Sequence, residues 1–231
     1  MKLTDAHIEE LYEFTRKHHV QHFDLQTELV DHLANGIQEQ WKTEPSLSFK
    51  EALQIEFQKF GVFGFSDIIR KHDSVLTKKY HKLLYQFALE YFKLPKIIGT
   101  ITAIIGLCYW QQFQHFKGWI LLFLFLMFIP YIILASIQLK RQYKRKVKQT
   151  KRRWKLEEMI FNTWNGLSIV QLFLFAIFNT GLYELDNIYA QLLTAILIVS
   201  SLILTYIIFI IIPDKAAQLL RKTYPEYELL A

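Results

Sequence analysis

A single cysteine, Cys108, in 231 residues leaves no partner for an internal disulfide and no thiol pair for a structural zinc. Proline and glycine are also sparse, at five and eight residues, so the chain reads as long helices with few breaks rather than as turn-rich strands. The first ten residues, MKLTDAHIEE, have neither a basic n-region nor an apolar h-region, and the segment that follows is expected to stay in the cytosol. The most consequential absence is that of charge. No Asp, Glu, Lys or Arg occurs in 97–113, 119–139, 167–183 or 188–212. A bilayer core takes about 20 apolar residues to cross as a helix, so these four stretches are expected to be transmembrane spans.

The expected fold class is therefore all-α: a polytopic membrane protein with four transmembrane helices and a cytoplasmic N-terminal helical domain. Residues 1–94 form the head and its long connecting helix, 95–213 the membrane bundle and 214–231 a cytoplasmic tail. The net charge of +6 comes almost wholly from 140–155, which reads KRQYKRKVKQTKRRWK; the head is close to balanced. Because short cytoplasmic connections carry the excess Lys and Arg, a basic loop over 140–158 is expected on the inner face. That orientation leaves the outer turns, around His115 and Glu184, with one Lys against two acids. The residues assigned to topology and to anionic lipid headgroups are Lys140, Arg141, Lys144, Arg145, Lys146, Lys148, Lys151, Arg152, Arg153 and Lys155. An acidic protein partner is a second use for the same charges. Nucleic acid is not expected, since both ends of the loop are tied to the membrane.

Within the head, Thr4 can cap a first helix carrying Ile8, Leu11 and Tyr12, which should fray by His18 or His19. Asp24 is placed to cap a second helix whose Leu29, Val30, Leu33, Ile37 and Trp41 form one apolar stripe. On its polar side Glu28, Asp31 and His32 are candidate contacts for a protein partner. Ser48 and Glu51 form an S-x-x-E capping box for a third helix. Gly61 is set to end that helix in a left-handed conformation, and Phe63 and Phe65 are expected to plug the core. A fourth helix, from Asp67 towards Leu94, is expected to stop at Pro95.

The order of E-L-V-D-H at Glu28 to His32, S-F-K-E-A-L at Ser48 to Leu53 and F-G-V-F-G-F at Phe60 to Phe65, each set among short helices, resembles the HAAS-type and permease-prefix helical domains. The resemblance covers roughly 11–70 and implies a cytoplasmic interaction or sensory module on a small membrane anchor in a bacterial cytoplasmic membrane. The glycine turn is doubled here, and no large extracytoplasmic domain follows the first span, so an FtsX-like permease role is not implied.

Catalytic chemistry is not indicated. His18 and His22 have a metal-ligand spacing only if the first helix continues, and no HExxH or CxxC supports them, so no metal and no cofactor is expected. Spans without ionisable groups disfavour ion coupling. Asn165, Ser168, Gln171 and Asn179 on the third span and Gln191, Thr194, Ser200, Ser201 and Thr205 on the fourth read as cross-links between helices. Gly99 and Ala103 have small-xxx-small spacing, which suits bundle packing or an oligomer. Pro130 should kink the second span. The function expected is a non-enzymatic membrane protein whose head binds a cytosolic or membrane protein partner, in signalling or regulation, with the bundle embedded in a bilayer bearing anionic headgroups. A small transporter or channel subunit is the alternative.

Overall fold

The computed structural model describes residues 2–112, 117–163, 175, 177, 181, 185, 187–224 and 227, with backbone only over 117–125. Among the described residues every regular element is a helix and none is a strand. The chain falls into two compact units, Met1–Lys78 with Thr150–Leu156, and Lys79–Gln149 with Glu157–Ala231.

In the first unit, α1 (Asp5–Lys17) opens with a capping box: the His7 amide donates to Thr4 Oγ1 at 3.4 Å and the Thr4 amide donates to His7 Nδ1 at 3.3 Å. It ends in a Schellman turn, where the Val20 amide donates to the Thr15 carbonyl and the His19 amide to the Arg16 carbonyl, with His19 left-handed at φ 66°. The expected capping residue and the expected end are both found. In α2 (Phe23–Thr43) the stripe of Leu25, Leu29, Val30, Leu33, Ile37 and Trp41 is buried. The apolar spacing of this helix thus sets the face it turns to α1 and to α3 (Phe49–Gln58). The capping box of α3 is present, with Ser48 and Glu51 bonded reciprocally. Trp41 closes the α2–α3 corner by donating its indole N–H to the Leu47 carbonyl at 3.0 Å.

Two expectations for the head fail. Asp24 does not cap α2; the capping position belongs to His22, whose side chain makes no capping bond, and Asp24 stands inside the first turn with partners elsewhere. Phe65 is 2% exposed and fills the core as expected, but Phe63 is 73% exposed. The reason is the backbone of the doubled glycine turn. Gly61 at φ +76° and Gly64 at φ +52° reverse the chain so tightly that Val62 and Phe63 sit at its apex.

α4 (Ser66–Leu89) supplies residues to both units, its first part to the head and Lys79 onward to the second. A 3-10 turn, Glu90–Phe92, precedes Pro95, and α5 (Lys96–Gln111) starts beyond it. The break at Pro95 is where the sequence puts it. α6 (Lys117–Thr150) is one helix of 34 residues that continues across Pro130. The basic segment was expected as a loop from Lys140; instead it extends α6 to Thr150, because straight-chain Lys, Arg and Gln are good helix formers and no Gly or Pro interrupts them. Only the short stretch before α7 (Lys155–Phe161) is non-helical.

Among the described residues, α8 (Ile188–Asp214) is long and apolar enough by length and composition to cross a membrane. It contains a wider π turn at Ile207–Ile211 and leads into α9 (Ala216–Thr223). α5 packs on α8, where Gln111 Nε2 donates to the Gln191 carbonyl at 3.1 Å. The hydroxyls of Thr194, Ser201 and Thr205 donate to carbonyls four residues earlier in their own helix, not to a neighbour as expected. A Cβ built on Gly99 or Gly106 would meet nothing within 4 Å, and Ala103 is exposed, so the small residues of α5 are not packing positions among the described residues. The third apolar stretch, with Asn165, Ser168, Gln171 and Asn179, lies outside the described residues apart from a few isolated positions.

Candidate functional site

The head carries two features built from several elements. The first is a polar seat for the strap Thr150–Leu156. The Phe23 amide, free of an intrahelical partner at the start of α2, donates to the Arg153 carbonyl at 2.7 Å. Asp24, whose side chain is 5% exposed, accepts from the Lys155 amide at 3.4 Å and lies 3.3 Å from His72 Nε2 on α4. Lys155 Nζ donates to Asp73 Oδ2 at 2.9 Å, and Arg153 donates to Gln21 Oε1 at 3.3 Å. Phe23 is sandwiched by two strap residues, with Arg152 4.5 Å above its ring centre and Trp154 edge-on at 5.3 Å. A burial this polar needs its hydrogen bonds met, and Asp24 meets them from two segments far apart in sequence.

The second feature is an exposed patch. Val62 is 99% exposed beside Phe63 at the apex of the glycine turn. Behind them Phe57, Phe60 and Phe65 pack edge to face, with Phe57 and Phe65 at 5.1 Å and Phe60 and Phe65 at 4.9 Å. His32 on the exposed side of α2 stands edge-on to Phe60 at 5.7 Å. The chosen residues Glu28, Asp31 and His32 are all exposed, and the fold carries this polar face up to the residue that precedes the turn. Sequence reasoning found the polar half of this patch and missed the apolar half. The signal was the second glycine, which turns a core-filling loop into a protruding one.

The ten basic residues do not share one environment. Lys140, Arg141, Lys144, Arg145 and Lys148 are exposed along α6, and Lys151 is exposed at φ 55° just after it. Arg152, Arg153 and Lys155 belong to the strap and face the head, as does Trp154, expected at headgroup level. Lys146, in the second unit, pairs with the buried Glu157 at 2.5 Å and donates to the hydroxyl of Tyr227, which in turn donates to Glu157 at 3.2 Å. Burial alone would lower the Lys146 pKa, but the bonds to Glu157 and Tyr227 outweigh it and hold the ammonium above its ordinary range. So four of the ten have protein partners named here that composition could not reveal.

His18 and His22 are not brought together as ligands. His18 follows the end of α1 and packs on Phe14 at 4.4 Å and Phe57 at 4.3 Å, and His22 is the capping residue of α2. Burial, aided by the charge of His19, lowers the His18 pKa. Among the described residues no group of three or more His, Cys, Asp or Glu side chains could hold a metal ion. Comparison with protein-family models, with curated proteins and with solved structures returns no match to this chain.

Proposed function

We propose that this chain is a non-enzymatic integral membrane protein with four spans, and that its head, on the cytoplasmic side, binds a protein partner through the Val62–Phe63 apex and the adjoining Glu28, Asp31 and His32. The observation that carries this reading is the apex itself. Two large apolar side chains are held out at 99% and 73% exposure by glycines at positive φ, at the cost of burial that each would gain by folding inward. An apolar anchor rimmed by two carboxylates and an imidazole fits a partner pocket with an apolar floor and a basic edge.

The membrane part of the reading is supported by apolar exteriors. Ile98, Ile101 and Ile105 on α5, Ile133 and Leu134 on α6, and Leu192, Leu193 and Ile196 on α8 are all exposed, as side chains facing acyl chains would be. The membrane is a bacterial cytoplasmic one on the strength of the HAAS-type resemblance. The strap supports a regulatory role, since it joins the second and third apolar stretches and its residues pair with the head.

The test is purification of the full chain from native membranes in mild detergent. A stoichiometric protein should accompany the parent and be lost from Val62→Asp and Phe63→Asp variants whose unfolding profile is unchanged. Equal recovery from parent and variants would remove the apex from the reading, and substrate turnover by the purified chain would overturn it altogether.

A further inference from the structure

In the second unit α4 and α9 lie side by side and antiparallel. Lys215 Nζ sits 4.8 Å from the ring centre of Phe87, and one end further along Lys222 presses on Lys79. The two intervals agree, since Lys79 to Phe87 spans about 12 Å of helix and Lys215 to Lys222 about 10 Å. Buried Tyr80, Leu84 and Phe87 on one helix and Ala216 and Leu220 on the other give the pair its apolar seam. Outside that seam Lys79, Lys82 and Lys222 are exposed. From Lys79 to Leu89 and from Ala216 to Thr223 the sequence contains no Asp or Glu to neutralise them. Burial and the nearby Lys222 both lower the Lys79 pKa, which means that folding brings the two ammonium groups together against their repulsion.

We propose that Lys79 and Lys222 form a binding site for the phosphate of an anionic lipid headgroup, with Lys82 at its edge. α9 begins two residues after the end of α8, the helix long and apolar enough to span, so the site falls at the level where headgroups lie. The proposal rests on the membrane reading above. It adds a specific position for lipid, distinct from the exposed lysines of α6. A phosphate placed between like charges gains two charge-assisted hydrogen bonds and relieves the repulsion that folding created.

The test uses the full chain in nanodiscs of phosphatidylcholine, alone or with phosphatidylglycerol, and reads acylation of each lysine by mass spectrometry. Anionic lipid should slow labelling of Lys79 and Lys222 about fivefold or more, and beyond any slowing at Lys144 and Lys148. Equal slowing at all four lysines, or none at Lys79 and Lys222, would overturn the site. Inorganic phosphate in pure phosphatidylcholine discs should not protect the pair; if it does so equally, the ligand is a soluble anion and the lipid assignment fails. The K79Q/K222Q chain should retain less phosphatidylglycerol in mild detergent, and K79R/K222R should retain it as the parent does. Retention unchanged in K79Q/K222Q would count against the site even if that variant were well folded. A chain that stays soluble without detergent or disc would refute the membrane reading; an embedded chain with no selective protection refutes only this inference.

Discussion

His72 Nε2 lies 3.3 Å from Asp24 Oδ2, and this pair joins the beginning of α2 to the first half of α4. The same carboxylate accepts from the Lys155 amide, so one side chain ties three segments together. Replacing Asp24 by Ala would leave buried donors on His72 and Lys155 without acceptors. The expected cost is about 1–3 kcal/mol, read as a lower urea midpoint for the full chain by fluorescence, where Trp154 packs on Phe23. Asp24→Asn, which keeps an acceptor oxygen, should lose less. Equal loss in both would assign the effect to charge rather than to the hydrogen bonds.

Phe63 and Phe65 are two residues apart and should behave oppositely. Phe65→Ala opens a cavity among Phe57, Phe60 and Leu53 and is expected to cost about 3–5 kcal/mol. Phe63→Ala should fall within about 0.5 kcal/mol of the parent. Chemical denaturation of both variants tests the pair; comparable losses would mean that the apex is packed.

The left-handed positions of the head separate strain from crowding. His19→Gly should stabilise by about 0.5–1 kcal/mol, because a glycine adopts φ 66° without the Cβ penalty and the Schellman bonds are kept. A Cβ on Gly61 meets nothing, whereas one on Gly64 lies 2.9 Å from Cζ of Phe57, a ring held by Phe14, Phe60 and Phe65. Gly64→Ala should therefore be worse than Gly61→Ala by about 1–3 kcal/mol. Thermal unfolding of the three variants orders them.

Acid should weaken the head through two groups. The folded His18 pKa is below its ordinary value of about 6.5, so the neutral form is the one that packs. The unfolded chain then binds the proton more tightly, and stability present above about pH 6.5 is lost as pH falls towards the folded value. Hydrogen bonds from the Ser48 hydroxyl and amide lower the Glu51 pKa, and their contribution is present above the ordinary carboxylate range and lost below it. Unfolding midpoints followed from about pH 8 to about pH 4 should fall in two steps. His18→Gln should remove the upper step and Glu51→Gln the lower.

The helices of the head could be read from local signals because local signals cause them. Thr4 and the Ser48–Glu51 box satisfy amides three residues away, and the stripe from Leu29 to Trp41 follows from helical period alone. What escaped was set by distant contacts. Asp24 has the composition of a cap but takes its partners from residues 72 and 155, and Lys146 reads as one of a run of solvated cations yet pairs with Glu157 and Tyr227. Phe63 escaped for a different reason: two backbone angles, at Gly61 and Gly64, decide which of the loop's aromatics turns inward. The basic run was taken for a loop because its charge was weighed and its helix propensity was not. The Lys79–Lys222 pairing needed the fold, since only that brings positions 143 residues apart in the chain into contact range.

The π turn at Ile207–Ile211 sets the phase of everything after it. Ile207, Ile208 and Phe209 are buried in succession, and the inward row then resumes at Ile212, Ala216 and Leu220. Excising one residue from the turn would rewind it as ordinary helix and swing the C-terminal segment by about 100° around its axis. Leu220 would then leave the seam, and its place would fall to a neighbour on the polar flank. The bulge works as a spacer whose single surplus residue keeps the azimuth of the tail in step with the core.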